Sequence, residues 1–342
     1  PSLRPRMTAV AMLAMATALA IESVATGPVL LGIGVALFFP STGVATNLAE
    51  GALVDAAPER AERTMARWSL FQIAGDVCAP FAIFLGALSP YGWRAAALGV
   101  ALILFAWAPL SFLAQRRVSP RATDHDSNDS NDSNDNNDDN DDTGGETWRS
   151  AARVVLHNRA LLVWLFGAAL CTLLDETVVA LLGLAGHERY GEHLSATLII
   201  AAFCAGGAVG VVVVERLLKA RSGVHLLAVS CALCALSFGA LVWFVGAPSY
   251  AAVGMALVAG AFSAPLYPLA KAQAYLALPG RSAAVNAAAA IFGVVDVVAP
   301  LGIGALVDGP GVNTALAVLL LQPLGLLVLA LAAIVINARA RP

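Results

Sequence analysis

Apolar residues in this chain gather into long blocks, separated by short breaks rich in charge, proline or glycine. Ten blocks can be traced, at about 7–26, 28–54, 66–88, 92–114, 160–184, 195–218, 223–245, 249–278, 284–306 and 312–337. Each has the roughly 20 residues that an α-helix needs to cross about 30 Å of hydrocarbon. They lack the alternation and the ~10-residue segments of a membrane β-barrel. The pattern predicts an all-α, multi-pass membrane bundle of ten spans.

Composition agrees. The 342 residues are 59% hydrophobic and 13% charged, with mean hydropathy +0.77, whereas soluble domains are about half apolar and about a quarter charged. Charge is unevenly spread. Ten of the 23 acidic residues lie in Asp124–Glu146, which holds no Lys or Arg, and without it the chain carries +7 rather than −3. The overall balance therefore says nothing of partners, and nothing points to nucleic acid. With the spans numbered alternately from a cytoplasmic start, 17 of the 20 Lys and Arg fall on the cytoplasmic side, two (Arg94 and Arg189) opposite, and Lys271 inside a span. The positive-inside rule then places both termini in the cytoplasm of a cell membrane.

Residues 118–150 divide the chain into four spans and six. Their DHDSNDSNDSNDNNDDNDD tract repels itself and has no apolar residue to bury, so a disordered cytoplasmic tether is expected. It lacks the glycine and terminal glutamate of a calcium loop. The expected units are 1–117, the linker 118–150, and 151–342.

The two sides share a repeat. DVCAPFAI, Asp76 to Ile83, returns as DVVAPLGI, Asp296 to Ile303, and the preceding Pro58-Glu-Arg60 loop matches Pro279-Gly-Arg281 with a one-residue shift. The third and ninth runs thus occupy equivalent places in two copies of one unit. On these residues the chain resembles the Major Facilitator Superfamily, whose members join two six-helix halves by a cytoplasmic loop. The resemblance covers all ten runs. The family's G-x-x-x-G-P-x-x-G-G signature is present only as Gly75-x-x-x-Ala79-Pro80. PSLRPRM is similar to the end of the family's loop between its second and third helices, which implies two further helices before residue 1.

Candidate chemistry lies in the charges within the runs, since a mid-bilayer charge costs at least about 2.5–3.5 kcal/mol and usually faces a cavity or partner helix. Asp76 and Asp296 sit near the middle of their runs, each four residues before a proline, Pro80 and Pro300. A proline there frees the aspartate's own carbonyl and favours a kink. Asp76, Pro80, Asp296 and Pro300 read as paired hinges at the interface of the halves, with direct proton binding by the aspartates as the alternative. Asp175 and Glu176 are adjacent mid-run acids. Helical neighbours point about 100° apart, so one is expected to face a cavity and the other a neighbouring helix. The resemblance makes this run the family's seventh helix, a cavity-lining one, where a carboxyl suits a proton carrier; a buried acid bonded to its helix neighbours is the structural alternative.

Lys271 lies in a run with Pro265 and Pro268, about 16 Å from Asp175 in depth at 1.5 Å per residue. It is expected to snorkel to the cytoplasmic side or to meet an anionic group of the substrate. Thr42, Thr46 and Glu50 recur at i, i+4 and i+8 as one polar stripe, facing either a cavity or another helix. Glu22 and Asp308 read as interfacial. The five cysteines all lie within runs and read as packing residues, Cys231-x-x-Cys234 included.

No G-x-x-x-x-G-K-[ST] loop is present, so ATP drive is not expected. The chain reads as a monomeric secondary transporter of a small solute by alternating access, in the mode of proton-coupled export, with no cofactor, metal or catalytic residue. A membrane receptor or regulator that kept the fold and lost transport is the alternative class.

Overall fold

The computed structural model describes residues 3–118, 148–190, 193–244 and 249–339, and every regular element among them is helical. The acidic tract Asp124–Glu146, read from sequence as a tether, lies outside the described residues. The helices cluster into two compact units, Pro1–Glu50 with Pro80–Ala151 and Gly51–Ala79 with Ala152–Pro342.

In the first unit, α1 (Leu3–Val24) packs along α4 (Trp93–Val118), and α2 starts at Pro28 and runs to Ala56, its last turns belonging to the second unit. Between helices in lipid there is no hydrophobic gain to be had, so small residues that allow close approach dominate the contact. Ala11, Ala16 and Ala18 of α1 and Ala101 and Ala108 of α4 are accordingly buried. Arg94 closes one end: its Nη2 donates to the Ala25 carbonyl at 2.8 Å, and its guanidinium stacks 4.8 Å from the Trp93 ring.

The second unit comprises most of α3 (Ala61–Ala87), the later part of α5 (Trp148–His157), and the helices α6 (Arg159–Cys171), α7 (Glu176–Tyr190), α8 (His193–Leu217), α9 (Gly223–Phe244), α10 (Ser249–Ser263), α11 (Leu266–Ala277), α12 (Ser282–Phe292), α13 (Val294–Asp308), α14 (Val312–Val318) and α15 (Leu321–Arg339). Leu161, Leu165, Leu182, Leu227, Phe238, Leu241, Leu266 and Leu269 are fully buried at its core. The tightest seam joins α8 to α10, where glycines meet backbone. A Cβ at Gly206 would collide with the carbonyl of Leu257, one at Gly210 with that of Ala261, and one at Gly260 with that of Phe203.

Several apolar runs are interrupted. The run at 160–184 is α6, a single 3-10 turn at Thr172–Leu174, a non-helical Asp175 (φ −115°, ψ −96°), and then α7. The run at 249–278 breaks between α10 and α11 at Pro265, which cannot donate to the helical ladder. The run at 284–306 breaks at Gly293, three residues before Asp296, whereas α3 passes unbroken through the equivalent Ile73, Asp76 and Pro80. The helix interruption in the second copy thus falls at the glycine and not at Pro300, consistent with glycine's poor helix propensity. Eight helical stretches among the described residues are long and apolar enough to cross a membrane; of the ten expected runs, those at 66–88 and 284–306 are not among them, the latter contributing only shorter pieces.

Polar contacts fix the start of α3. Glu62 accepts from Gln273 Nε2 at 2.7 Å and from the Gly223 amide, the first of α9, at 3.2 Å. Glu215, near the end of α8, pairs with Arg63 at 3.3 Å and Arg67 at 3.0 Å. These anchors differ in expected weight. Gln273 is buried, so Glu62→Ala strands it and removes a helix N-terminal acceptor, a loss of about 1–3 kcal/mol. Arg67 is 64% exposed, so Glu215→Gln is expected to cost less than about 1 kcal/mol. Thermal unfolding of the two variants in the same detergent checks the ranking; an equal or reversed order would contradict it.

Candidate functional site

Segments of the second unit drawn from four apolar runs line an open cavity of about 210 Å³. Ser69, Gln72, Ile73 and Asp76 line it from α3, a spacing of i, i+3, i+4 and i+7 that puts all four on one helix face. Phe203, Cys204 and Gly207 line it from α8, held there by the Gly206 and Gly210 contacts just described. The remaining wall comes from two helix breaks. Cys171, Leu174, Asp175, Glu176 and Val179 surround the first, and Ser263, Ala264 and Tyr267 the second.

The first break explains why both acids reach the cavity. On a continuous helix Asp175 and Glu176 would diverge by about 100°, as expected from sequence. Asp175 instead has non-helical dihedrals and Glu176 begins a new helix. Thr172 sits at the turn and donates its hydroxyl to the Ala169 carbonyl at 2.7 Å, a local bond that competes with regular helix. Glu176 also gains from its place in the first turn of α7, where the macrodipole favours a negative group. The side chains of Asp76, Asp175 and Glu176 are all accessible rather than packed away. No Lys, Arg or His is among the described residues lining the cavity.

The other residues singled out from sequence lie elsewhere. Lys271 is buried at 3% exposure, with its ammonium 5.8 Å from the Tyr275 ring centre, and it is not among the lining residues. Its neighbours carry a polar cluster: Tyr275 donates to Asn286 Oδ1 at 2.7 Å, and Ser282 to Asp55 Oδ2 at 2.6 Å. Thr42 and Thr46 are in the first unit, and each donates its hydroxyl to the carbonyl four residues back, Phe38 and Thr42, at 3.0 and 2.8 Å. Glu50 on the same helix is buried. Pro300 is exposed on α13; the side chains of Pro80 and Asp296 lie outside the described set. Sequence reasoning missed Ser69, Gln72, Phe203, Cys204 and Tyr267. For the α3 pair, the helical spacing from Asp76 was the available signal.

A family model described as Major Facilitator Superfamily matches residues 3–295. The chain belongs to that superfamily. Membership makes it a multi-pass membrane protein of a secondary-transporter family, not an enzyme. Among the described residues there is no group of three or more His, Cys, Asp or Glu placed to hold a metal ion.

No curated protein sequence matches the chain. Solved structures do. A superfamily transporter, FucP, crystallised in the outward conformation, is similar with TM-score 0.67 at 13% identity, over 96% of this chain and 82% of that one. A second structure, of the E. coli fucose:proton symporter FucP, gives TM-score 0.67 at 12% identity over 96% and 83%. The human organic anion transporter MFSD10 gives 0.63 at 16% over 96% and 77%. At these identities the likeness is one of fold.

Proposed function

We propose that this chain is a proton-coupled exporter of a small solute and that the cavity of the second unit is where solute and proton are exchanged. The chain is read as ten spans, four before the acidic tether and six after it. The third span is α3, the ninth is α12 with α13, and both termini are cytoplasmic in the cell membrane. The protein works as a monomer by alternating access of its two halves, 1–117 and 151–342.

One observation carries the reading: Asp76, Asp175 and Glu176, three accessible carboxyls from two apolar runs, line a single cavity that includes two helix breaks. Irregular backbone at membrane depth is tolerated where it lines a cavity, not where it meets lipid. A carboxyl there either holds a proton or faces a donor of the solute. That exclusive choice favours exchange over co-transport. Asp175 and Glu176 are the principal proton carriers, and Asp76 supports them from α3. Pro80, Asp296 and Pro300 retain the hinge role, with Asp76 shared between hinge and cavity.

The test is a flux measurement in proteoliposomes with a trapped pH indicator. Cationic, neutral and anionic solutes are applied in turn. At least one class should drive protons in the opposite direction through the wild-type chain. Absence of proton movement and of solute accumulation for every class would remove the reading and favour a non-transporting receptor.

A further inference from the structure

Resting on the reading of the cavity as the transport site, we infer that its ligand is a small hydroxylated organic cation, an alkylammonium or quaternary ammonium, rather than a metal ion, an anion or a neutral polyol. The charge of the lining is one-sided, with three carboxyls and no basic group among the described residues. An anion would meet repulsion there, and a neutral polyol would leave the carboxylates without a counter-charge.

A compact metal ion is disfavoured for a different reason. It needs ligands converging on one point, and among the described residues no three His, Cys, Asp or Glu do so. Acids spread around a wall suit a cation whose charge is diffuse. Tyr267, half-buried, adds an aromatic ring to the lining, and alkylated ammonium groups are attracted to aromatic rings. Size sets the scale. At roughly 30 Å³ per water, about seven waters fill the 210 Å³, less than the ~300 Å³ at which pockets for drug-sized ligands begin.

An independent feature bears on the ligand's polar end. Ser69 lines the cavity and is 5% exposed, yet its hydroxyl has no hydrogen-bond partner among the described residues. Buried hydroxyls are nearly always partnered; the oxygen is closed off in this structure, and a χ1 rotation toward the cavity would bring it to a hydroxyl on the ligand.

Choline is the probe, and its neutral isostere 3,3-dimethylbutan-1-ol, with carbon in place of nitrogen, is the control. Equilibrium dialysis of labelled choline against the full chain in nanodiscs should give saturable binding that the isostere does not displace. Asp175→Asn and Glu176→Gln should each weaken it about tenfold or more, as expected for loss of a charged partner. Ser69→Ala should weaken it by a few-fold, the worth of a neutral hydrogen bond. The inference is overturned if choline does not bind, if the isostere competes equally, or if all three folded variants bind choline like the wild type. The two levels separate. If choline fails while another solute drives protons, the ligand class falls and the transport reading stands. If choline binds through the carboxyls but no solute moves, the ligand class stands and the transport reading falls.

Discussion

Gly210→Ala is expected to destabilise the second unit by about 1–3 kcal/mol or more, the range for overpacking a well-packed site. Ordinarily a helical Gly→Ala change gains about 0.5–1 kcal/mol. Here the new Cβ would be driven into the carbonyl of Ala261, and backbone cannot rotate aside as a side chain can. Gly206 and Gly260 make the same kind of contact along one seam, so α8 and α10 would have to separate. Separation would also move Phe203, Cys204 and Gly207 away from Ser263 and Ala264 across the cavity. Gly254 of α10 supplies the control, since nothing lies within 4 Å of its added Cβ. Thermal unfolding should show a lowered midpoint for Gly210→Ala and an unchanged or raised one for Gly254→Ala. Equal midpoints would mean that the seam is not tightly packed.

The second large effect is on coupling. Asp175→Asn keeps the shape and hydrogen-bonding capacity of the side chain and removes its titrating proton. With the solute that accumulates most strongly in wild-type proteoliposomes, uphill transport driven by a pH gradient should be lost. Exchange of solute down its own gradient should remain. Glu176→Gln should behave alike. Asp76→Asn should weaken coupling without abolishing it, because Asp76 lines the same cavity from α3. Asp296→Asn should preserve uphill transport with an altered rate, as a hinge residue would. The assignment fails if both Asp175→Asn and Glu176→Gln accumulate solute normally while Asp296→Asn does not, which would make the repeated octapeptide the coupling site.

Sequence made the membrane class legible because a 20-residue apolar run has few other physical uses. It also exposed Asp76, Asp175 and Glu176, since a charge inside such a run is conspicuous. Their meeting around one cavity was not readable, because it depends on which helices are neighbours. That both members of the Asp175–Glu176 pair line the cavity was missed for a local reason. The expectation assumed a continuous helix, and the chain leaves helical geometry at Asp175. Pro265 was visible at the matching break between α10 and α11, but no break was read from it. Lys271 reads as snorkelling or as meeting an anionic group of the substrate; the fold buries it beside Tyr275, which a depth count along one helix does not reveal. The glycines of α8 were visible in CAGGAVG, but nothing in one sequence says which backbone they will touch.

Access to the cavity from alternate sides can be measured without knowing the solute. Cys204 lines the cavity and is partly exposed, while Cys231 and Cys234 are buried and serve as internal controls. A membrane-impermeant maleimide is applied to spheroplasts and, separately, to inverted vesicles containing the wild-type chain, and each cysteine is mapped by mass spectrometry. Labelling of Cys204 in both preparations, with Cys231 and Cys234 unlabelled, is the predicted result. Labelling of Cys204 from one side alone, or from neither, would contradict alternating access at this cavity.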